Sequence, residues 1–328
     1  MTSESKQHSR SFLSKDEIKQ LRSPNDIKAI SMFVVNWVMI AGCFLIIANT
    51  SSLLVIVLAL FVMAGRQLGI GILLHECSHR SFFSTIKWNR FIGHWFGGIP
   101  ILVPYDFYRP YHLSHHAKTG TDGDPDVENI RQYPVSKMSL VRKVVRDFVG
   151  LSGLKMLFGV LFYVLSNRAG NAYSLGVTNS EEGQNRDPKI SRKNYAHALL
   201  FHSSFFSVFY LSGQPSLYLY WWLCFIFFYP FILRMRQIAE HGAMTQLSSN
   251  DVRDTTRTTI ARWWERLLFA PNFVNFHCEH HYLPTVPSYN LPAMHDLLKE
   301  RGFYVGKEGA LVDKGGYFEV GRLAMSKA

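Results

Sequence analysis

The sequence predicts an all-α membrane protein: four transmembrane helices paired as two hairpins, one or two interfacial or re-entrant helices, and a cytoplasmic cap. Three observations predict it: four long apolar runs nearly free of charge, very short connections within each pair, and basic residues kept almost wholly outside the runs. Mean hydropathy over the 328 residues is only +0.01, so distribution, not average composition, decides the class.

The first 28 residues are polar and hold Lys6, Arg10, Lys15, Lys19, Arg22 and Lys28. They lack the apolar core of a cleaved signal, so a cytoplasmic segment and a retained first span are expected. Ser14-Lys15-Asp16-Glu17 has the form of a capping box and predicts a short surface helix. Spans follow at about 29–49 and 53–74, each close to the length that crosses a bilayer. Arg66 interrupts the second. A charge there can mark function, yet it lies close enough to the cytoplasmic edge to snorkel, and Gly65-Arg66-Gln67-Leu68-Gly69 fits close helix packing. The structural role is the preferred reading.

Residues 75–195 form a long stretch on the cytoplasmic side. Within it, Phe91 to Tyr105 is broken by Gly93, Gly97, Gly98, Pro100 and Pro104, and is expected to lie in the interface or dip partway in. Leu151 to Leu165 reads similarly, and Ser166 to Lys193 reads as a polar loop. The second hairpin has spans at about 196–212 and 216–234. Arg234 to Ala328 is expected to cap the helices, with an amphipathic helix over Leu291 to Arg301 ended by Gly302. The expected division is an N-terminal segment (1–28), a membrane domain (29–302) and a tail (303–328).

Of 35 Lys and Arg, the tight connections Asn49 to Ser52 and Ser212 to Ser216 carry none, which puts both termini and all long loops in the cytoplasm. The formal charge of +11 then belongs to one face, suited to anionic headgroups or an acidic protein partner. Its spread along loops argues against nucleic acid. Cys43 and Cys224 fall in spans, Cys77 and Cys278 in cytoplasmic clusters, so no disulfide framework is expected. The sequon at Asn49-Thr50-Ser51 hugs the membrane edge and reads as an accident of the turn.

Three short windows hold eight of the 14 histidines. His75-Glu76-Cys77-Ser78-His79 continues the second span, so its histidines share one helical face a turn apart. His112-Leu113-Ser114-His115-His116 and His277-Cys278-Glu279-His280-His281 can each aim three imidazoles at one point. A single HxxHH is an ordinary surface event; three clusters on one side of a membrane are not. Eight imidazoles exceed the roughly four ligands of a tetrahedral zinc, which implies two metals. Imidazole suits iron, copper, zinc and nickel alike, so spacing does not name the metal. His241, just past the fourth span with Gln237 one turn earlier, reads equally as a ligand or a satisfied interfacial residue. His94, His197 and His202 read as structural by default, with His94 the first exception.

Together these residues resemble the membrane fatty acid desaturases, whose HxxxH, HxxHH and HxxHH pattern is met by His75/His79, His112/His115/His116 and His277/His280/His281. Arg109-Pro110-Tyr111, Asp122-Gly123-Asp124-Pro125-Asp126 and Leu283-Pro284 to Pro292 are also similar, and the resemblance covers roughly Ala29 to Gly302. It implies a non-haem di-iron site in the cap, with His241 as a ninth ligand and Gln237 holding a water on the metal. It further implies O2 as co-substrate, a membrane lipid or acyl substrate, and removal of two hydrogens to leave a double bond. The His-Pro-Gly-Gly signature of a fused cytochrome b5 module does not occur in these residues. A separate electron donor, ferredoxin or cytochrome b5, is therefore expected on the basic face.

The same scaffold serves lipid and carotenoid hydroxylases and ketolases, an alternative that sequence does not separate. A zinc protease using HExxH at 75–79, with Glu76 as base, leaves six clustered histidines unexplained. A metal store or transporter would place ligands inside the spans.

Overall fold

The computed structural model describes residues 12–166, 188–244, 246 and 248–325. Lys6, Arg10 and most of the expected polar loop, 167–187, lie outside them. The described chain is mainly helical, and local sequence explains where its helices begin. Helix α1 (Lys15–Leu21) carries the expected capping box: Glu17 N donates to Ser14 Oγ at 3.3 Å and Ser14 N to Glu17 Oε2 at 2.8 Å. Helix α2 (Asp26–Ala48) starts where Asn25 Oδ1 accepts from Lys28 N at 3.0 Å.

Helix α3 (Leu53–Ser78) is the central post, with Met63, Ala64, Leu68, Ile70 and Ile72 to Leu74 buried against its neighbours. Its outer half turns Leu53, Leu54 and Leu58 outward, and α2 exposes Val34, Val35, Val38 and Leu45, as a lipid-facing surface requires. By length and apolarity α2 and α3 can each cross a membrane. Arg66 does not snorkel. It is 5 % exposed, and its guanidinium donates to the carbonyls of Arg266 (3.0 Å) and Leu267. A Cβ on Gly65 would stand 2.7 Å from Leu267 O, so the close packing read from the glycines is present.

Helix α4 (Ile86–Ile92) runs into a π turn at Gly93–Gly98 and a 3-10 turn at Ile99–Ile101 before the chain reverses at Leu102. The glycines and prolines between Phe91 and Tyr105 break the helix here, as their positions predict. A Cβ on Gly97 would lie 3.0 Å from Leu74 N, so only glycine lets it press on α3. Helices α5 (Tyr105–Lys118), α6 (Val127–Ile130), α7 (Lys137–Phe148) and α8 (Leu151–Gly159) follow, α8 ending in a π turn over Val160–Val164.

The second hairpin differs from expectation. Helix α9 (Pro188–Leu211) begins before 196, and its Asn194, His197, His202 and serines dilute its apolar residues, so it falls short of a spanning composition by itself. The expected run 216–234 is two helices, α10 (Leu217–Phe227) and α11 (Tyr229–His241), bent by 40°. Pro230, at the second position of α11, removes a backbone donor and crowds the preceding turn, which accounts for the break. Counted as one broken span, the pair gives three candidate spans among the described residues.

The remaining chain folds back over the helix ends: α12 (Val252–Thr255), β1 (Thr258–Thr259), α13 (Trp263–Leu268), α14 (His277–Tyr282), α15 (Leu291–Glu300), β2 (Leu311–Val312) and α16 (Gly316–Leu323). Strands β1 and β2 pair in parallel. Leu13 and Leu21 join Cys278, Met294, Leu298 and Phe303 in a second, smaller core beside the main one. Gly302 ends α15 with φ +74, as its position predicts.

Candidate metal centre

Four helix ends converge. The inner end of α3 supplies His75 and, at its cap, His79; α5 supplies His112, His115 and His116; α11 ends on His241; α14 carries His277, His280 and His281. The nine form two groups, each with donor nitrogens within 4.8 Å of one another. His75, His79, His112, His116 and His280 make one, and His115, His241, His277 and His281 the other. The groups touch, since the His116 and His281 rings lie 4.2 Å apart.

The nitrogens approach in a way that hydrogen bonding alone does not satisfy. His112 Nε2 lies 2.8 Å from His79 Nε2 and 3.0 Å from His116 Nε2, which is itself 3.0 Å from His280 Nε2. One ring nitrogen offers one proton or one lone pair and serves one such partner. Buried His75 Nε2 and His281 Nε2 have no hydrogen-bond partner in the described structure. A cation at the centre of each group satisfies all of them. At the about 2.1 Å typical of metal to imidazole, donors 2.8–3.0 Å apart subtend roughly a right angle, whereas tetrahedral ligands stand about 3.4 Å apart. The donors of each group are thus close enough to share one metal.

Partners behind the imidazoles fix their orientation. His75 Nδ1 donates to Glu76 Oε1 at 2.9 Å, His115 Nδ1 to Asp124 Oδ1 at 2.8 Å, and His241 Nδ1 to Thr255 O at 3.0 Å. Glu76 also accepts from Ser288 N at 2.8 Å, which occupies the carboxylate an HExxH protease needs as a base. Burial pushes His112, His116, His277, His280 and His281 well below the usual imidazole range and His79 down to about 3, so these rings are neutral and able to ligate. His115 goes the other way: burial opposes its charge, but Asp124 outweighs it and raises the value.

Every histidine of the three clusters, and His241, is brought together. His94 lies apart: its Nε2 faces His197 Nδ1 at 2.8 Å and its Nδ1 accepts from Tyr105 N at 3.3 Å. Gln237 lines a cavity that also reaches His112, His115, His241 and His277. One wall is apolar, with Leu68, Ile72 and Leu233; another carries Tyr111, Asp126 and Arg236. Sequence reasoning missed Glu240, which shares the wall with Gln237, and Arg257, whose guanidinium accounts for the end of α11. Arg257 donates to the carbonyls of Ile238, Gly242, Ala243 and Gly309 at 3.0–3.3 Å. A carboxylate abutting His241 was the visible signal for Glu240; Arg257 left none.

A helical bundle with membrane helices, gathering nine imidazoles into two adjoining groups, defines a membrane protein with a centre able to hold two metals. The profile of the family described as fatty acid desaturase matches residues 50–308, and the chain belongs to that family. It is 25% identical over 278 residues to the dihydrorhizobitoxine desaturase of Bradyrhizobium elkanii, covering 83% of this chain and 75% of that one. Two Synechocystis proteins are also similar. An sn-1 acyl-lipid omega-3 desaturase (ferredoxin) is 27% identical over 47% of this chain and 42% of its own length. An sn-1 oleoyl-lipid 12-desaturase is 24% identical over 69% and 63%. The matched part thus spans from under half to three quarters of these relatives.

Proposed function

We propose that the chain is an O2-dependent oxidoreductase, a desaturase that introduces a double bond into a lipid acyl chain within the membrane. The observation that carries this reading is the cavity, whose apolar wall runs along the membrane helices and whose inner end is the histidine centre. Leu68 precedes His75 by seven residues, about 10 Å along the helix axis, so apolar lining residues extend along α3 away from the histidines. Acyl and oleoyl lipids in the names of two relatives support the substrate class.

His75, His79, His112, His116 and His280 would hold one iron, and His115, His241, His277 and His281 the other, with Gln237 beside the second. The two ions supply activation of O2 with electrons from outside. The substrate loses two hydrogens, which with two electrons and two protons reduce O2 to two waters. Leu68, Ile72 and Leu233 hold the chain and exclude water, while Glu76, Asp124 and Thr255 keep three imidazoles in a fixed tautomer. A separate donor delivers the electrons; ferredoxin in one relative's name and the net charge of +11 support an acidic protein docking on a basic face. In this reading the chain crosses the membrane four times as two hairpins, with both termini and the metal centre cytoplasmic.

The test is lipid profiling by mass spectrometry of a host expressing the chain beside a His112→Ala variant. Loss of two hydrogens in a defined acyl lipid, absent with the variant, is the expected result. Gain of an oxygen instead moves the chain to the hydroxylases and ketolases.

A further inference from the structure

Helix α7 is amphipathic, and its apolar residues do not all face the bundle. Its inward line is Leu140, Val144 and Asp147, and Asp147 accepts from Arg234 at 2.6 Å (Nε) and 2.9 Å (Nη2). This buried bidentate pair fixes the roll of the helix. Turned outward are Met138, Val141, Val145 and Val149, which are 47–65 % exposed and form one helical stripe. Arg142 and Arg146 border the stripe, exposed and one turn apart, and neither has an acidic partner among the described residues. We propose that α7 lies in the membrane surface, its stripe in the acyl region of the leaflet and Arg142 and Arg146 together holding the phosphate of an anionic phospholipid. The inference rests on the chain being a membrane protein and not on the reaction it catalyses.

Three observations make lipid, and not a second protein, the cover of this stripe. The C-terminal end of α7 is anchored among the long helices: the Phe148 ring lies 6.3 Å from Phe61 of α3, and 6.0 and 4.9 Å from Phe228 and Phe231 where α10 meets α11. Helix α3 and the bent pair are candidate spans, so α7 sits at a level where lipid surrounds the bundle. The apolar surface also continues past α7. Gly150, with φ +83, turns the chain onto Ile226 and Phe227 of α10, and α8 then exposes Leu151, Leu154 and Phe158 by 42–60 %. So long an apolar strip beside the spans is costly in water and favourable in a leaflet. Finally, the charges stand where headgroups would. Lys143 is turned back to Gln132 Oε1 and the Tyr133 ring, so the outward charge of α7, besides Lys137 in its first turn, is that of the two arginines. Guanidinium groups beside an apolar stripe complement lipid phosphate at the boundary between acyl chains and water.

The test uses the purified full chain in nanodiscs of phosphatidylcholine with phosphatidylglycerol, and two spin-label readouts. A nitroxide on Val141→Cys reports depth, the four native cysteines being buried. It should collide more with O2 than with an aqueous nickel chelate; the reverse order overturns the placement of the stripe in lipid. Spin-labelled phosphatidylglycerol and phosphatidylcholine then report selectivity at the protein surface. Wild type should prefer phosphatidylglycerol, and Arg142→Gln/Arg146→Gln should lower that preference by about 5-fold for each charge removed. Arg142→Lys/Arg146→Lys, which keeps the charges, should retain it. An unchanged preference in the glutamine variant overturns the anionic-lipid site, as does an equal loss in the lysine variant, which would make the arginines merely structural. Wild type that does not enter nanodiscs would overturn the membrane reading itself.

Discussion

Asp124 holds His115 in the tautomer that leaves Nε2 free to ligate a metal, and at 2.8 Å it makes a charge-assisted contact inside a buried site. Replacing it by Asn keeps the volume and removes the charge. Metal at the four-histidine group should then bind roughly 10- to 100-fold more weakly, with the five-histidine group unaffected, as an Fe(II) titration would read. Uniform weakening of both groups would sink this assignment. The histidines themselves were legible because i, i+3 and i, i+4 spacing is local, and one helical turn brings such side chains together whatever the rest of the chain does. Their division into five and four was not. His115 and His116 are adjacent in sequence yet serve different groups, because neighbouring residues on a helix point about 100° apart. His241 as a ligand came from family resemblance, since a lone histidine has no spacing to read.

Helix ends, more than helix bodies, make this centre, so the groups that fix those ends matter. Arg257 is 2 % exposed and has four carbonyl partners at the end of α11 and beyond, the stretch that carries Glu240 and His241. Truncation to Leu strands these carbonyls and should destabilise the protein by about 3 kcal/mol or more, with Lys recovering part, measured by thermal melting in detergent. Sequence did not announce this, because the partners are backbone atoms far along the chain. The break at Phe228 was more accessible: Pro230 was present in a run read as one span, and apolarity masked its effect. At the surface, α1 docks through Glu17, which accepts from Arg301 and Ser14 and is held at about 2, below its ordinary 4.5. A depressed acid stabilises the folded state above its unfolded value. The docking of α1 should therefore be complete above about pH 4.5 and weaken as pH falls toward 2, seen as faster amide exchange in α1. Arg301→Ala should reduce that dependence, leaving the part that the Ser14 hydrogen bonds to Glu17 supply.

The two cores, one among the long helices and one joining α1 to α14 and α15, agree with a chain whose histidine centre lies between an apolar bundle and a polar cover. The bundle's existence was legible from run length and charge; its span count was less so, because α9 dilutes its apolar face with serines and histidines and α10 with α11 is bent. Four spans with both termini cytoplasmic make a sharp prediction for thiol labelling in intact cells. Native background is low, since Cys43, Cys77, Cys224 and Cys278 are all buried. A cysteine replacing Ser51 or Ser212, in the two tight connections, should react with a membrane-impermeant maleimide from outside. One replacing Ser136, before the basic helix α7, should react only after the membrane is opened. A three-span chain would put the connections at 49–52 and 212–216 on opposite faces, so only one of Ser51→Cys and Ser212→Cys would label, and it would put the ends of α3 and α11, whose His75 and His241 belong to adjoining histidine groups, on opposite faces as well.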